Sequence, residues 1–134
     1  MKLITRNTDY ALRAVCYIAT HNESKVTVEE LVDKLGVPRS FMRKILQLLS
    51  RNKVLKSTKG QGGGFRLSIP ARKLYLIKIM RIFQGNVGLN GCFLKKDICP
   101  SRGKCLLRKK IHNIEQGVLG ELKAISIDSL IGRQ

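Results

Sequence analysis

Short amphipathic segments follow one another through the first half of the chain. Apolar residues recur at helical spacing from Ala11 to Ile18, which predicts a first helix with Thr8 as its N-cap. A second apolar stripe runs from Val28 to Leu35, after the N-cap candidate Thr27 and before Gly36, a residue that suits a helix C-terminus. The pattern therefore predicts two helices that each bury one face.

A third predicted helix begins at Pro38, a residue well suited to a first helical turn. Its apolar side is expected to hold Phe41, Met42, Ile45, Leu46, Leu48 and Leu49. The opposite side has no acidic residue and consists of Arg39, Ser40, Arg43, Lys44, Gln47 and Arg51. Ordinary solvated helix faces mix both charge signs, so we interpret this side as a DNA-recognition surface. Two helices joined by a short glycine-containing turn are typical of a helix-turn-helix.

A glycine-rich, basic segment from Lys59 to Gly64 separates two strand candidates, Val54 to Thr58 and Phe65 to Ile69. This arrangement predicts a β-hairpin, or wing, whose tip can approach DNA phosphates or the minor groove. Together with Thr27, the expected DNA contacts here are Lys59, Gln61 and Gly62. A nucleotide-binding phosphate loop is the alternative, but the Gly-Lys-Ser/Thr ending is missing and a strand follows.

The second half contains an apolar helix between Leu74 and Phe83 and a long helix that begins near Cys105. The long helix carries a nearly heptad series of Leu107, Ile111, Ile114, Val118, Leu122 and Ile125. So small a domain cannot cover this series, and we expect it to pair with a second copy in a homodimer. The predicted fold is mainly α with a small β-hairpin: a winged helix-turn-helix over residues 1–83, a cysteine loop over 84–104, and a dimerisation helix with a tail over 105–134.

The charge balance identifies the class of partner. Lys and Arg number 26 against 9 Asp and Glu, a formal net charge of +17. Such an excess favours a polyanion, and we expect double-stranded DNA. A membrane surface fits less well because the basic residues are spread over several segments rather than lying opposite one apolar face. The polar, basic start of the chain and the lack of any apolar run near roughly 18 residues lead us to expect a cytoplasmic protein.

Three cysteines, Cys92, Cys99 and Cys105, lie close together on a segment that also contains glycine and proline. Cytoplasmic disulfides are rare, and nearby lysines and arginines favour thiolates, so these residues are candidate ligands of an iron–sulfur cluster or of zinc. Free thiols or a thiol redox switch are the alternatives. Cys16 fits an ordinary buried cysteine, and His112 lies too far along its helix from Cys105 to share a centre easily.

The order of these parts resembles the bacterial family of winged-helix iron–sulfur regulators that includes IscR and NsrR. The resemblance covers essentially the full length and rests on the opening Thr8-Asp9-Tyr10-Ala11-Leu12-Arg13, on Gly36-Val37-Pro38, on Lys59 to Gly64, and on the three cysteines. It implies a homodimer whose 2Fe–2S or 4Fe–4S cluster alters its affinity for DNA.

The resemblance also implies a ligand set: Cys92, Cys99 and Cys105, with a fourth ligand that differs between branches. IscR-like members have a histidine three residues after the third cysteine, where this chain has Arg108. NsrR-like members use an acidic residue near the start of the first helix of the other subunit, and Asp9 matches that position. Nitric oxide, oxygen, iron supply and cluster status all stay open as the sensed signal.

We therefore expect a transcription regulator that binds a palindromic operator and has no enzymatic activity, since the sequence contains no nucleophile–base pair, paired carboxylates or cofactor fingerprint. Arg39 and Arg43 are the candidates for guanine contacts, whereas Lys44, Arg51 and Lys59 are expected to neutralise phosphates. The alternatives are a zinc-stabilised or cluster-free repressor without a sensing role, and a basic interaction subunit that docks an acidic protein.

Overall fold

The computed structural model describes residues 3–87 and 105–132, so the predicted ligands Cys92 and Cys99 lie outside the described residues. Over these two ranges the chain forms helices and one two-stranded antiparallel sheet. The elements are α1 (Arg6–Thr20), α2 (Val28–Leu35), α3 (Arg39–Arg51), β1 (Leu55–Thr58), β2 (Gly64–Leu67), a 3-10 turn (Ala71–Lys73), α4 (Leu76–Gln84), α5 (Leu106–Lys123) and α6 (Ile127–Leu130). The prediction of a mainly α fold with a small hairpin is confirmed.

Helix α1 begins earlier than predicted. Its N-cap is Thr5, whose hydroxyl oxygen accepts a hydrogen bond from the Thr8 N–H at 3.3 Å. The prediction of Thr8 as the N-cap was wrong, because Thr8 lies inside the first turn with 0% of its surface exposed. The Thr8 hydroxyl instead donates to the side-chain oxygen of Gln84, a residue 76 positions away that local sequence reading cannot connect with it.

Both ends of α2 lie where the sequence predicts. The Thr27 hydroxyl oxygen accepts from the Glu30 N–H at 3.1 Å, and Gly36 ends the helix in the left-handed conformation with φ 67°. Residues with a Cβ atom rarely adopt this backbone conformation, which explains why a glycine stands here. The Glu30 carboxylate accepts a hydrogen bond from the Tyr17 hydroxyl at 2.6 Å and so connects α2 to α1.

One hydrophobic core joins the first three helices to the hairpin and to α4 and α6. Helix α3 contributes Met42, Ile45, Leu46 and Leu49, all buried. Phe41 was predicted on this apolar side, but 47% of its surface is exposed. Successive residues turn by about 100° around a helix, which places Phe41 about 90° from the centre of the buried stripe and so at its edge.

The hairpin is anchored at its base. Leu55 pairs with Leu67 at one end of the ladder and Thr58 with Gly64 at the other. Val26 adds a third short segment, because its N–H donates to the Phe65 carbonyl at 3.0 Å and its own carbonyl accepts from the Phe65 N–H at 2.8 Å. A Cβ atom at Gly64 would lie 2.8 Å from the Val26 carbonyl oxygen, so only glycine permits this close approach.

The C-terminal elements return to the N-terminal core. Leu122, near the end of α5, is buried with Leu76, Ile77 and Met80 of α4. A backbone bridge joins the segment after α5 to the start of α4, and Ile127 of α6 is buried in the main core. The Ser126 hydroxyl caps α6 by accepting a hydrogen bond from the Ser129 N–H at 3.2 Å. None of the helices in the described ranges is both long and apolar enough to cross a membrane.

Candidate nucleic-acid interface

Helix α3 presents the basic face that the sequence predicts. Its outward side chains are exposed to solvent along the whole helix, while the opposite side is buried; the exposed residues are Arg39, Ser40, Arg43, Lys44, Gln47 and Arg51. The chain contains no acidic residue between Asp33 and Asp97. Helix α3, the hairpin and α4 therefore contribute basic groups and no carboxylate to this surface.

The two arginines proposed to read guanine have different surroundings. Arg39, the first residue of α3, places Nη2 at 3.3 Å from Glu29 Oε1 in an ion pair whose members are both more than half exposed. Such exposed pairs are weak, and DNA can replace the carboxylate. Arg43 makes no salt bridge within residues 3–87 and 105–132. Arg43 therefore offers its guanidinium without first giving up a partner.

Thr27 lies at the N-terminus of α2, where its oxygen serves as a helix cap. Because that oxygen accepts the Glu30 N–H, the hydroxyl proton of Thr27 remains a donor that can reach a phosphate. The side chain is half-buried. Thr27 thus combines a structural role with a candidate DNA contact.

The wing places its candidate residues at an exposed tip. Lys59, Gln61 and Gly62 are all exposed in the turn between the two strands. Below the tip, the Arg66 guanidinium donates to the Glu23 carbonyl at 3.2 Å, which holds the hairpin against the turn after α1. The wing is therefore fixed at its base while the tip reaches away from the core.

The cysteine site is described only in part. Cys105 is half-buried and immediately precedes the first turn of α5. Asp9 lies in the first turn of α1, where its Oδ2 atom is 3.1 Å from Arg13 Nε. This ion pair is exposed, so the carboxylate can exchange it for another partner. Within the described ranges no group of three or more His, Cys, Asp or Glu residues is arranged to hold a metal ion, and the ligand set stays a prediction.

From the sequence we interpreted Cys16 as an ordinary buried cysteine and His112 as a residue too far from Cys105 to share a metal centre easily. Their surroundings in the structure agree with these interpretations. Cys16 packs against the main core, and its burial raises the pKa of the thiol. A raised pKa favours the neutral thiol over the thiolate that binds metals. His112 is exposed on α5.

Gln84 is a residue that sequence reading missed. Its side-chain oxygen accepts the Thr5 N–H at 3.1 Å and the Thr8 hydroxyl at 2.7 Å, and its amide nitrogen donates to the Leu3 carbonyl at 2.9 Å. Gln84 is the last residue of α4 and the first residue of the predicted cysteine loop, 84–104. It therefore fastens the N-terminus of α1, which carries Asp9, to the start of that loop.

Helix α5 leaves much of its apolar series uncovered. Leu107 is 68% exposed and Ile114 55% exposed, whereas Leu122 packs on α4. Leu106 and Ile111 are exposed as well. Among the residues that the structure describes, those packed on α5 cover its C-terminal end.

Comparisons with known proteins agree with this architecture. The family model that matches residues 4–133 is Rrf2, described as an iron-dependent transcriptional regulator. Protein aau3 of Rhizobium meliloti (strain 1021) is 29% identical over 129 residues, which cover 96% of this chain and 84% of that protein. The resemblance to iron–sulfur regulators stated from the sequence is confirmed at the level of the family.

Two solved structures have the same fold. CymR (YrzC), the global cysteine regulator of B. subtilis, superposes with a TM-score of 0.79 at 17% identity, covering 98% of this chain and 97% of its own. IscR of T. potens superposes with a TM-score of 0.76 at 17% identity, covering 98% and 86%. The chain therefore belongs to the Rrf2 family, whose members are DNA-binding transcription regulators and not enzymes.

Proposed function

We propose that two copies of this chain bind a palindromic operator in double-stranded DNA, each placing α3 in the major groove and its wing on the flanking backbone or minor groove. The observation that carries this proposal is the exposed, acid-free face of α3 beside an anchored basic hairpin. A recognition helix contacts bases with its N-terminal residues, which here include Ser40 and Arg43.

The exposed residues divide between reading and positioning. Arg39 and Arg43 have the donor geometry for bidentate contacts with guanine, and Ser40 and Gln47 can hydrogen-bond base edges. The groups around them suit contacts with phosphates. Such contacts fix the register of the protein on the duplex without reading its sequence. These positioning residues are Thr27, Lys44, Arg51, Lys59, Gln61 and Gly62.

The uncovered apolar series of α5 supports the homodimer. Leu107, Ile111 and Ile114 expose large aliphatic side chains along one side of the helix, and burying them is favourable by about 1.5–3 kcal/mol for each fully buried side chain. A second copy offers the same side chains across a two-fold axis. Two-fold symmetry then presents two α3 helices to the two halves of a palindrome.

Control of DNA binding is proposed to lie in Cys92, Cys99 and Cys105, with Asp9 from the other subunit as a fourth ligand. Three thiolates and one carboxylate form a donor set that suits an iron–sulfur cluster, and such a cluster supplies redox and ligand-exchange chemistry. Zinc is the alternative occupant of the thiolates. Cys105 is joined directly to α5, and α5 packs on α4, which contacts α1 and α3. A change at the thiols would therefore act on α3 along the length of α5 and then through the packing of its C-terminal end on α4.

The DNA part of the proposal is tested by selecting binding sites from a random duplex library with the full-length protein, followed by footprinting. We expect an enriched sequence with two half-sites in inverted order, spaced by about one helical turn. A single unrepeated half-site would contradict the palindromic mode. Enrichment of no sequence would contradict base reading by α3.

The cysteine part is tested separately by anaerobic purification, visible absorption spectroscopy, and analysis of iron, sulfide and zinc. Iron and sulfide in equal amounts, lost in the Cys92→Ala variant, are expected. Colourless protein that holds stoichiometric zinc would overturn the cluster and leave a zinc-stabilised regulator.

A further inference from the structure

Phe41 lies in the first turn of α3 with 47% of its surface exposed. Within the hairpin and the two helices of the helix-turn-helix, residues 26–69, it is the one large hydrophobic residue that the structure leaves exposed. The other exposed large hydrophobics belong to the N-terminus, to Tyr75 and to the C-terminal helices. Phe41 is therefore the large apolar side chain that this surface offers to a partner.

Phe41 lies at the edge of the exposed polar surface of α3. Ser40 and Lys44 are both exposed, and Lys44 lies about one turn further along the same side of the helix, whereas Arg43 lies on the far side of α3 from Phe41. Side chains on an α-helix lean toward its N-terminal end, and that end carries the residues that contact bases. With α3 in the major groove, as proposed above, a ring at this place would lie beside base edges that are otherwise contacted by polar side chains.

The major groove offers one apolar group to such a ring. Thymine exposes its C5-methyl there, and phenylalanine is among the side chains that contact it. Resting on our proposed placement of α3 in the major groove, we propose that Phe41 is a specificity-determining residue that recognises a thymine methyl in each half-site. Phenylalanine has no hydroxyl or charge with which to bind a phosphate, so its contribution depends on that methyl group.

The experiment uses the selected operator and replaces each thymine in turn by uracil, which differs only in lacking the methyl group. For the wild-type protein, one thymine position in each half-site is expected to be sensitive, and a single replacement there in one half-site should weaken binding about fourfold, the effect of losing one buried methyl group. Phe41→Ala is expected to weaken binding to the thymine operator and to lose this sensitivity, so that it binds the thymine and uracil operators equally. Phe41→Leu retains an apolar side chain and should keep part of the sensitivity.

Tyr75→Ala is the matched control, since it truncates another exposed aromatic side chain outside residues 26–69. It should bind both operators as the wild type does. Wild-type protein that is indifferent to every uracil, or a Phe41→Ala variant that keeps the full uracil effect, would overturn the role of Phe41. Neither result touches the proposed function, which fails instead if the wild-type protein selects no operator.

Discussion

Helices α3 and α5 are both amphipathic, yet they use their apolar sides differently. In α3 the apolar stripe is buried within the chain and the polar face is exposed to solvent. In α5 the buried part is limited to Leu122, and the series from Leu107 to Ile114 faces solvent. The contrast shows that helical periodicity identifies a face that must be covered but does not say whether the same chain covers it.

The largest change in stability is expected when a buried side chain of α3 is truncated. Leu46→Ala should lower the free energy of unfolding by about 2–5 kcal/mol, because it removes a fully buried side chain and leaves a cavity. Urea denaturation measures it. Gln47→Ala, on the exposed side of the same helix, should stay within about 0.5 kcal/mol of the wild type. Equal losses for the two variants would contradict the assignment of the faces.

The proposal that the apolar side of α5 forms the dimer interface is tested by placing a carboxylate on that side. Ile114→Asp should convert a dimer into a folded monomer and weaken operator binding by about a hundredfold or more, because bivalent binding is lost. Sedimentation and DNA titration follow the two effects. Gln116→Asp introduces the same residue on the opposite side of α5 and should leave the dimer intact. A dimeric Ile114→Asp protein would show that α5 is not the interface.

Arg43 and Lys59 are proposed to have different roles in binding DNA, the first in contacting bases and the second in contacting phosphates. Arg43→Ala should weaken the free energy of binding to the operator by about 1–3 kcal/mol and that of binding to random DNA by much less, because it removes the guanine contact that we propose. Lys59→Ala should weaken binding to both duplexes alike. Parallel titrations of each variant on both duplexes decide the matter, and equal losses for Arg43→Ala on operator and random DNA would exclude its base-reading role.

A smaller loss of stability is expected when the hydrogen bond between α1 and α4 is removed. Thr8→Val removes the hydroxyl that donates to Gln84 at 2.7 Å while keeping the side chain's shape, and should cost about 0.5–1.5 kcal/mol of stability. Thr20→Val, at an exposed hydroxyl, is the control and should cost less. Thermal unfolding compares them. A Thr8→Val protein as stable as the wild type would show that the Gln84 contact contributes nothing.

The smallest effect concerns pH. The hydrogen bond from the Tyr17 hydroxyl to Glu30 raises the pKa of Tyr17 above its ordinary value of 10.0, with burial and the charges of Glu30 and Asp33 adding to the shift. Because the folded pKa is raised, the stabilisation is present below pH 10 and is lost as the pH rises through the raised pKa. The stability advantage of the wild type over Tyr17→Phe should therefore be constant at neutral pH and shrink in alkali. An advantage that persists unchanged in strong alkali would contradict this coupling.

The elements of the helix-turn-helix could be predicted because their signals are local. Thr27 and Gly36 mark the ends of α2 within a few residues of its apolar stripe, and both roles depend on neighbouring backbone groups. The basic face of α3 follows from spacing alone. Phe41 was misplaced because it lies at the edge of the stripe, where periodicity does not decide burial.

Features that depend on distant residues could not be predicted. Thr5 and Thr8 are equally plausible caps from local sequence, and Gln84 decides between their roles from the far end of α4. The pairing of Val26 with Phe65, which requires Gly64, likewise joins segments that sequence spacing does not connect. The cysteine ligands remain a prediction, since Cys92 and Cys99 lie outside the described residues.

We propose that the basic surface of residues 26–69 binds the phosphates of DNA and that α3 reads the operator sequence. The most direct measurement is the affinity of the full-length protein for operator and random duplexes between about 50 and 200 mM salt. We expect the logarithm of each affinity to fall steeply and linearly with the logarithm of the salt concentration, with the operator bound more tightly at every concentration. Affinities that do not change with salt, or that are equal for the two duplexes, would contradict it.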